Sequence, residues 1–328
     1  MKTVIVVGLG SMGCRRIRLL KEIDASIQIG GIDTQQSRRD AAKAQYGIDV
    51  FSSIQEAVSA LNPFAGIVCT SPLSHRAIIL ELLDFKMHVF TEINLISDGY
   101  DEMISKAKKA GVMLFLSSTF LYRKDVQYII RRAKQGPVNY CIHTGQYLPD
   151  WHPWEDYQSF FVGNKRTNGC REIFAIDLPW ILKAFGDVSE IHVSSGRLSK
   201  LNIDYPDNYI VNLVHKNGSK GVFFCDIVSR NGGRRAELFR ETLHLIWNGT
   251  PDSLFEYNID TKKMEKIDTY HEQTQHLNAY LNSSIVENAY KDELTTFLAS
   301  LEHKAVPRYT FEEDEKTIAL IDRIEGSL

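Results

Sequence analysis

Short apolar runs alternate with amphipathic stretches through the first 118 residues. TVIVVG predicts a buried strand, SMGCRRIRLLKEI a helix, IQIGGID a second strand and SRRDAAKAQYG a second helix. FAGIVCTS, MHVFTE and VMLFLSS predict further strands, separated by the helical stretches HRAIILELLDF and DGYDEMISKAKKAG. Strands joined through helices of this length make right-handed crossovers, so the expected product is a parallel sheet with helices on both faces.

The rhythm changes near residue 120. A helical DVQYIIRRAKQG leads to VNYCIHTGQYL, then to the aromatic and proline-rich loop PDWHPWEDYQSFF, then to a helix over REIFAIDLPWILKAFG. EIHVSSGRLS, NYIVNLVHKNGS and GVFFCDIVS follow with turn signals between them, and ETLHLIWNGTPDSLFEYNID with MEKID repeats the hairpin pattern. Two helical stretches, NAYKDELTTFLASLEHK and FEEDEKTIALIDRIEGS, close the chain. The expected fold is therefore an α/β Rossmann domain, a doubly wound parallel sheet over residues 1–120. Behind it, residues 121–328 form an α+β domain with a large, mostly antiparallel open sheet.

At 328 residues the chain exceeds the size at which one core keeps growing, which agrees with two domains. Hydrophobic residues at 44% and charged residues at 24% are those of a packed globular protein. A formal charge of −3 provides no general basic field, so no nucleic-acid partner is expected. RRDAAK and GGRRAELFRET are local basic spots and read as solvated faces. No apolar stretch reaches the roughly 18 residues of a membrane span, and MKTVIVVGLG enters a glycine loop too soon for a signal peptide. Cys14, Cys69, Cys141, Cys170 and Cys225 are scattered without pairing rhythm. Reduced thiols and a cytoplasmic location follow. The histidines show neither HExxH nor paired-ligand spacing, so no metal site is expected.

Gly8, Leu9, Gly10, Ser11, Met12 and Gly13 form a GxGxxG that follows a strand and opens a helix, the context in which this motif cradles a dinucleotide. Gly8 permits the tight turn, Gly10 lets backbone approach a pyrophosphate, and Gly13 allows close helix packing. Asp33 stands twenty residues after Gly13, at the end of the second strand, where a carboxylate accepts from ribose hydroxyls and repels a 2′-phosphate. NAD is thus expected over NADP; Arg38 and Arg39 lie a turn further on and leave that carboxylate in place.

These residues resemble the Gfo/Idh/MocA family of sugar and polyol dehydrogenases over essentially the whole chain. GLGSMG carries the resemblance together with Ser71-Pro72-Leu73-Ser74-His75 after IVCTS, the segment MHVFTE and the order of the C-terminal elements. The resemblance implies a sugar or nucleotide-sugar substrate between the domains and a homodimer or homotetramer built on the open sheet. The loop YLPDWHPWEDY is similar to that of members in nucleotide-sugar and surface-polysaccharide pathways. Two departures stand out. The family's usual Glu-Lys-Pro is Glu92-Ile93-Asn94 here, and its helical His and Asp, three residues apart, fall at Ile176 and Pro179.

Removing a hydride from an alcohol needs a base for the hydroxyl proton. With the usual groups replaced, Asp177, Arg171 and Glu172 are the nearby substitutes. Thr70, Ser71, Pro72, His75 and Glu92 are expected beside the cofactor with the glycine loop, although capping and packing account equally for His75. Trp151, His152, Trp154 and Tyr157 offer surfaces that stack on a sugar ring, or pack a lid or an oligomer contact. Arg123 is expected on the substrate side, as the resemblance implies. Two other readings stay open: NAD used transiently in a non-redox reaction, and a non-catalytic sensor of NAD or a sugar metabolite.

Overall fold

The structure is a computed structural model, and it describes residues 2–271 and 286–326. It contains two compact units. The first comprises the chain up to Ser118 together with Tyr290–Lys316, and the second comprises Thr119–Ala289 with the residues from Thr317 onward.

The first unit alternates β1 (Thr3–Val7), α1 (Ser11–Ile23), β2 (Gln28–Ile32), α2 (Gln36–Tyr46), β3 (Asp49–Phe51), α3 (Ile54–Leu61), β4 (Ala65–Val68), α4 (His75–Asp84), β5 (His88–Thr91), α5 (Tyr100–Ala110) and β6 (Leu114–Leu116). The strands run parallel in the order β3-β2-β1-β4-β5-β6. That is the doubly wound arrangement, with its order reversing between β1 and β4, where such sheets open their ligand crevice. Every residue of β1 is buried, as a strand covered on both faces requires.

β3 and α3 are absent from the expected elements. Their signal was Ser53-x-x-Glu56: the Ser53 hydroxyl accepts from the Glu56 amide, while the Glu56 carboxylate reaches back to the Ser52 N–H at 2.9 Å.

In the second unit, α6 (Lys124–Ala133), β7 (Asn139–Gly145) and α7 (Gly169–Phe185) precede β8 (Val188–Gly196), β9 (Asn208–His215), β10 (Lys220–Asp226), β11 (Gly233–Arg240), β12 (Leu243–Trp247), β13 (Leu254–Asn258) and β14 (Lys263–Lys266). The sheet order is β14-β13-β12-β11-β7-β10-β9-β8, antiparallel except where β10 lies parallel to β7. GGRRAELFRET, read as a solvated basic face, is the strand β11 inside this sheet. Its alternation carries Ala236 and Leu238 into the core and leaves Arg235 and Phe239 outside. α7 packs on the inner face, with Phe174 edge-on to Tyr209 and Phe223, and Trp180 edge-on to Trp247.

α8 (Glu287–Leu301) and α9 (Phe311–Glu325) close the chain. The sequence boundary assigns everything after residue 120 to the second domain, but Tyr290–Lys316 belongs to the first unit. The reason is a buried anchor. Glu293 accepts from Arg16 at 2.8 Å and from the Ser118 amide at 2.7 Å, and Phe297 packs edge-on against Phe90 and Phe115.

Candidate functional site

The turn after β1 shows why three glycines are spaced as they are. Gly8 holds φ +93°, and a Cβ there would lie 2.8 Å from the Cys69 carbonyl. A Cβ on Gly13 would meet the Gly8 carbonyl at 1.9 Å. Above Gly10, by contrast, a Cβ would meet nothing within 4 Å. The turn is closed on its protein side and open on the other. α1 begins there with no side-chain cap and no acidic residue in its first turn, so its leading N–H groups and positive end face an anion unopposed. Asp33 is buried beside the turn, accepting from the Leu9 amide and the Gln35 amide at 2.9 Å each, with Arg38 3.6 Å away. A carboxylate oxygen has a second lone pair, so both oxygens retain acceptor capacity.

Ser11 and Met12 belong to the first turn of α1, and Thr70, Ser71 and Pro72 line the loop after β4. The Ser74 hydroxyl, bonded to Thr70 Oγ1 at 2.8 Å, stiffens this loop. His75 is buried, its Nε2 3.0 Å from the Thr70 carbonyl and its Nδ1 2.6 Å from the Asn94 amide. Burial lowers its pKa, against the opposing pull of its bonds to Asn94 and Thr70. Since the Thr70 carbonyl can only accept, Nε2 donates to it, and Nδ1 faces the Asn94 Oδ1 and the Thr91 hydroxyl. His75 is therefore a strut between the loops after β4 and β5.

Glu92, at the end of β5, takes Arg16 Nε at 2.6 Å and Nη2 at 3.2 Å. Burial opposes the Arg16 charge, but Glu92 and Glu293 more than offset it and hold its pKa up. Glu92 is thus tied down by a cation that sequence reading did not single out.

In the second unit the expected residues differ in their partners. Arg123 is buried, pairing with Asp125 at 3.0 and 2.5 Å, donating to the Gly249 carbonyl and lying over Trp247. Expected on the substrate side, Arg123 makes a buried ion pair with Asp125, two residues on. Arg171 is held by Asp322 at 2.5 Å and by Glu325. Asp177 is fully buried, accepting from Trp180 Nε1 at 2.9 Å and Arg234 Nε at 3.0 Å. Glu172 differs: its Oε2 is buried with no hydrogen-bond partner, and burial pushes its pKa up to about 7, against the opposing pull of Arg234. Along Gly169–Ile181 only Glu172 and Ile176 are not fully buried. Four residues apart, they share one face of α7.

The aromatic run is brought together only in part. His152 lies 5.1 Å from Trp154 and 4.3 Å from Phe160, centroid to centroid, and pairs with Glu155. Trp151 Nε1 donates to the Gln146 carbonyl, and the Tyr157 hydroxyl accepts from the Asn202 amide. Trp154 is the open member, 64% exposed. Among the described residues no three His, Cys, Asp or Glu side chains cluster as metal ligands, and no helix is long and apolar enough to cross a membrane.

Residues 2–118 match the model of an oxidoreductase family with an NAD-binding Rossmann fold. Over that Rossmann domain the chain is similar to the Gfo/Idh/MocA oxidoreductases. The cofactor of that domain is NAD. A curated relative, the myo-inositol 2-dehydrogenase of Thermotoga maritima, is 27% identical over 136 residues, 40% of this chain and 41% of that protein. Fold likeness extends further. An oxidoreductase from Agrobacterium radiobacter, solved with NAD+, L-tartaric acid and magnesium, has a TM-score of 0.80 at 14% identity, covering 98% of this chain and 94% of its own. The WlbA dehydrogenase of Bordetella pertussis, solved with NADH and UDP-GlcNAcA, has a TM-score of 0.76 at 15% identity, covering 100% and 96%.

The residues present fit the Gfo/Idh/MocA cofactor. The open side of Gly10 and the uncapped start of α1 suit a diphosphate, and Asp33 suits a ribose diol. Ile93 beside Glu92 is half-buried, and Ile176 and Pro179 lie within α7; none of these side chains can carry a proton.

Proposed function

We propose that the protein is an NAD-dependent dehydrogenase of a sugar or nucleotide sugar, with Glu172 as the group that takes the hydroxyl proton. Bound NAD supplies the hydride acceptor. The observation that carries the reading is the unpartnered Glu172 oxygen on the one face of α7 left open, a turn before Ile176. A carboxylate titrating near neutrality is matched to proton transfer at working pH. Arg171 and Asp177, both locked in ion pairs, hold that helix and its neighbours in place. Trp154 is the aromatic surface available to a sugar ring.

The test is NAD reduction by the purified protein against a panel of sugars, polyols and nucleotide sugars. Turnover is expected with at least one, and Glu172→Gln is expected to lower kcat by about 100-fold or more. Ile93 in the lysine position favours a second reading, a sensor that binds NAD or a sugar metabolite without turnover. NAD binding with no reduction by any panel member supports that reading instead.

The outer face of the eight-stranded sheet exposes Ile210, Phe224 and Phe239, with Ile210 and Phe224 directly paired across β9 and β10. This suits the homodimer or homotetramer expected of an open-sheet domain. Its five unpaired cysteines suit a cytoplasmic setting.

A further inference from the structure

Arg234 was hidden in a segment that reads as a solvated basic spot. In the fold it lies on the inner face of β11, its side chain 14% exposed, directly across from Thr144 of β7. Two contacts fix its guanidinium. Asp177 takes Nε with both carboxylate oxygens, at 3.0 and 3.2 Å, and the Phe120 ring lies under Cζ at 4.4 Å. Neither contact uses the terminal nitrogens, which have no partner among the described residues. Thr144, 4% exposed, has a hydroxyl with no hydrogen-bond partner, and the buried Oε2 of Glu172 lacks one too. Native folds rarely leave such groups unmatched, since each orphaned buried polar atom is costly. Here an arginine fork, a hydroxyl and a carboxyl oxygen, all unmatched, are gathered around α7, β7 and β11.

We propose that Arg234, with Thr144 beside it, is a specificity-determining anion subsite, and that the substrate is an acidic sugar whose carboxylate it takes. A guanidinium held by its Nε edge offers its two terminal nitrogens end-on, a geometry that matches the two oxygens of a carboxylate. Asp177 serves as a positioning residue for that fork. Thr144 adds a short donor, and Glu172 faces a neighbouring hydroxyl of the same ligand. A neutral sugar leaves the fork with single, uncharged acceptors. The inference deepens the dehydrogenase reading, because the hydroxyl assigned to Glu172 and the carboxylate assigned to Arg234 belong to one molecule.

The test is calorimetric binding to NAD-loaded protein of two matched pairs, glucuronate with glucose and UDP-glucuronate with UDP-glucose. Each pair differs only by a carboxylate in place of a hydroxymethyl group. In at least one pair the acid is expected to bind about 100-fold more tightly, the scale of a desolvated, hydrogen-bonded charge pair. Because Arg234→Met alone would strand the Asp177 charge in the core, the variant used is D177N/R234M, with D177N as its reference and thermal melting as the check on folding. The preference is expected to weaken but remain in D177N, which loosens the fork, to weaken in R234K, which keeps the charge but not the fork, and to vanish in D177N/R234M. Equal binding of acid and neutral partner in both pairs overturns the proposal, as does a preference that survives D177N/R234M. These ratios need no hydride transfer. A protein that selects acids yet never reduces NAD contradicts the dehydrogenase reading alone, whereas one that oxidises neutral sugars and ignores acids contradicts only the subsite.

Discussion

Replacing Glu172 by Gln should stabilise the protein while disabling it, and the gain should depend on pH in a way that identifies the carboxyl. Its pKa is raised from an ordinary 4.5 to about 7 because burial disfavours the charged form. At about 1.4 kcal/mol for each factor of ten in acidity, ionising it within the folded protein costs up to about 3 kcal/mol more than ionising it in the unfolded chain. The sign follows from proton counting. Between 4.5 and about 7 the folded state binds more protons than the unfolded state, so stability is fully present below 4.5 and is lost as pH rises through about 7. Glutamine stays neutral and keeps the shape. Denaturant melts of the wild type and E172Q should nearly coincide at about pH 4.5 and separate by about 2–3 kcal/mol at about pH 8, with E172Q the more stable. Over the same range the wild-type kcat/KM should rise about tenfold per pH unit and level off above neutrality, while E172Q shows neither the activity nor the rise. A constant stability gap across pH, or an E172Q enzyme with the wild-type pH profile, would refute the assignment.

Other expectations follow from single contacts. Gly13→Ala places a methyl 1.9 Å from the Gly8 carbonyl, so NAD binding should be lost in calorimetry even where circular dichroism shows a folded chain. Arg123→Met removes the partner of buried Asp125 and should lower stability by about 3–5 kcal/mol in denaturant melts. Substrate KM should stay unchanged, in contrast to a substrate-side arginine. Phe224→Asp on the exposed sheet face should shift the assembly toward monomer in light scattering, and an unchanged mass would remove that face from the interface.

Much of the first unit was legible because its physics is local. A fully buried parallel strand must read as an unbroken apolar run, and a turn that a Cβ would block must be glycine, so β1, Gly8 and Gly13 declare themselves. The capping pair at Ser53 and Glu56 is equally local, yet α3, which it opens, was missed. The charged residues were less readable. Arg123, Arg171 and Asp177 are chemically able to bind or catalyse, and their tertiary partners, such as Trp247, Asp322 and Arg234, are not legible from the local sequence. Arg234 failed in the opposite direction. Two adjacent arginines look like a wet surface, yet strand alternation turns one inward and the other out. Likewise Glu293 gave no local hint that it would seal Arg16, 277 residues away along the chain.

The account rests on a dinucleotide seated at the glycine turn with its ribose at Asp33, and isothermal titration of the purified, nucleotide-stripped protein tests this directly. NAD should bind with one site per chain and NADP at least about tenfold more weakly, since a 2′-phosphate would face the Asp33 carboxylate. No detectable heat with NAD, or tighter binding of NADP, would contradict it.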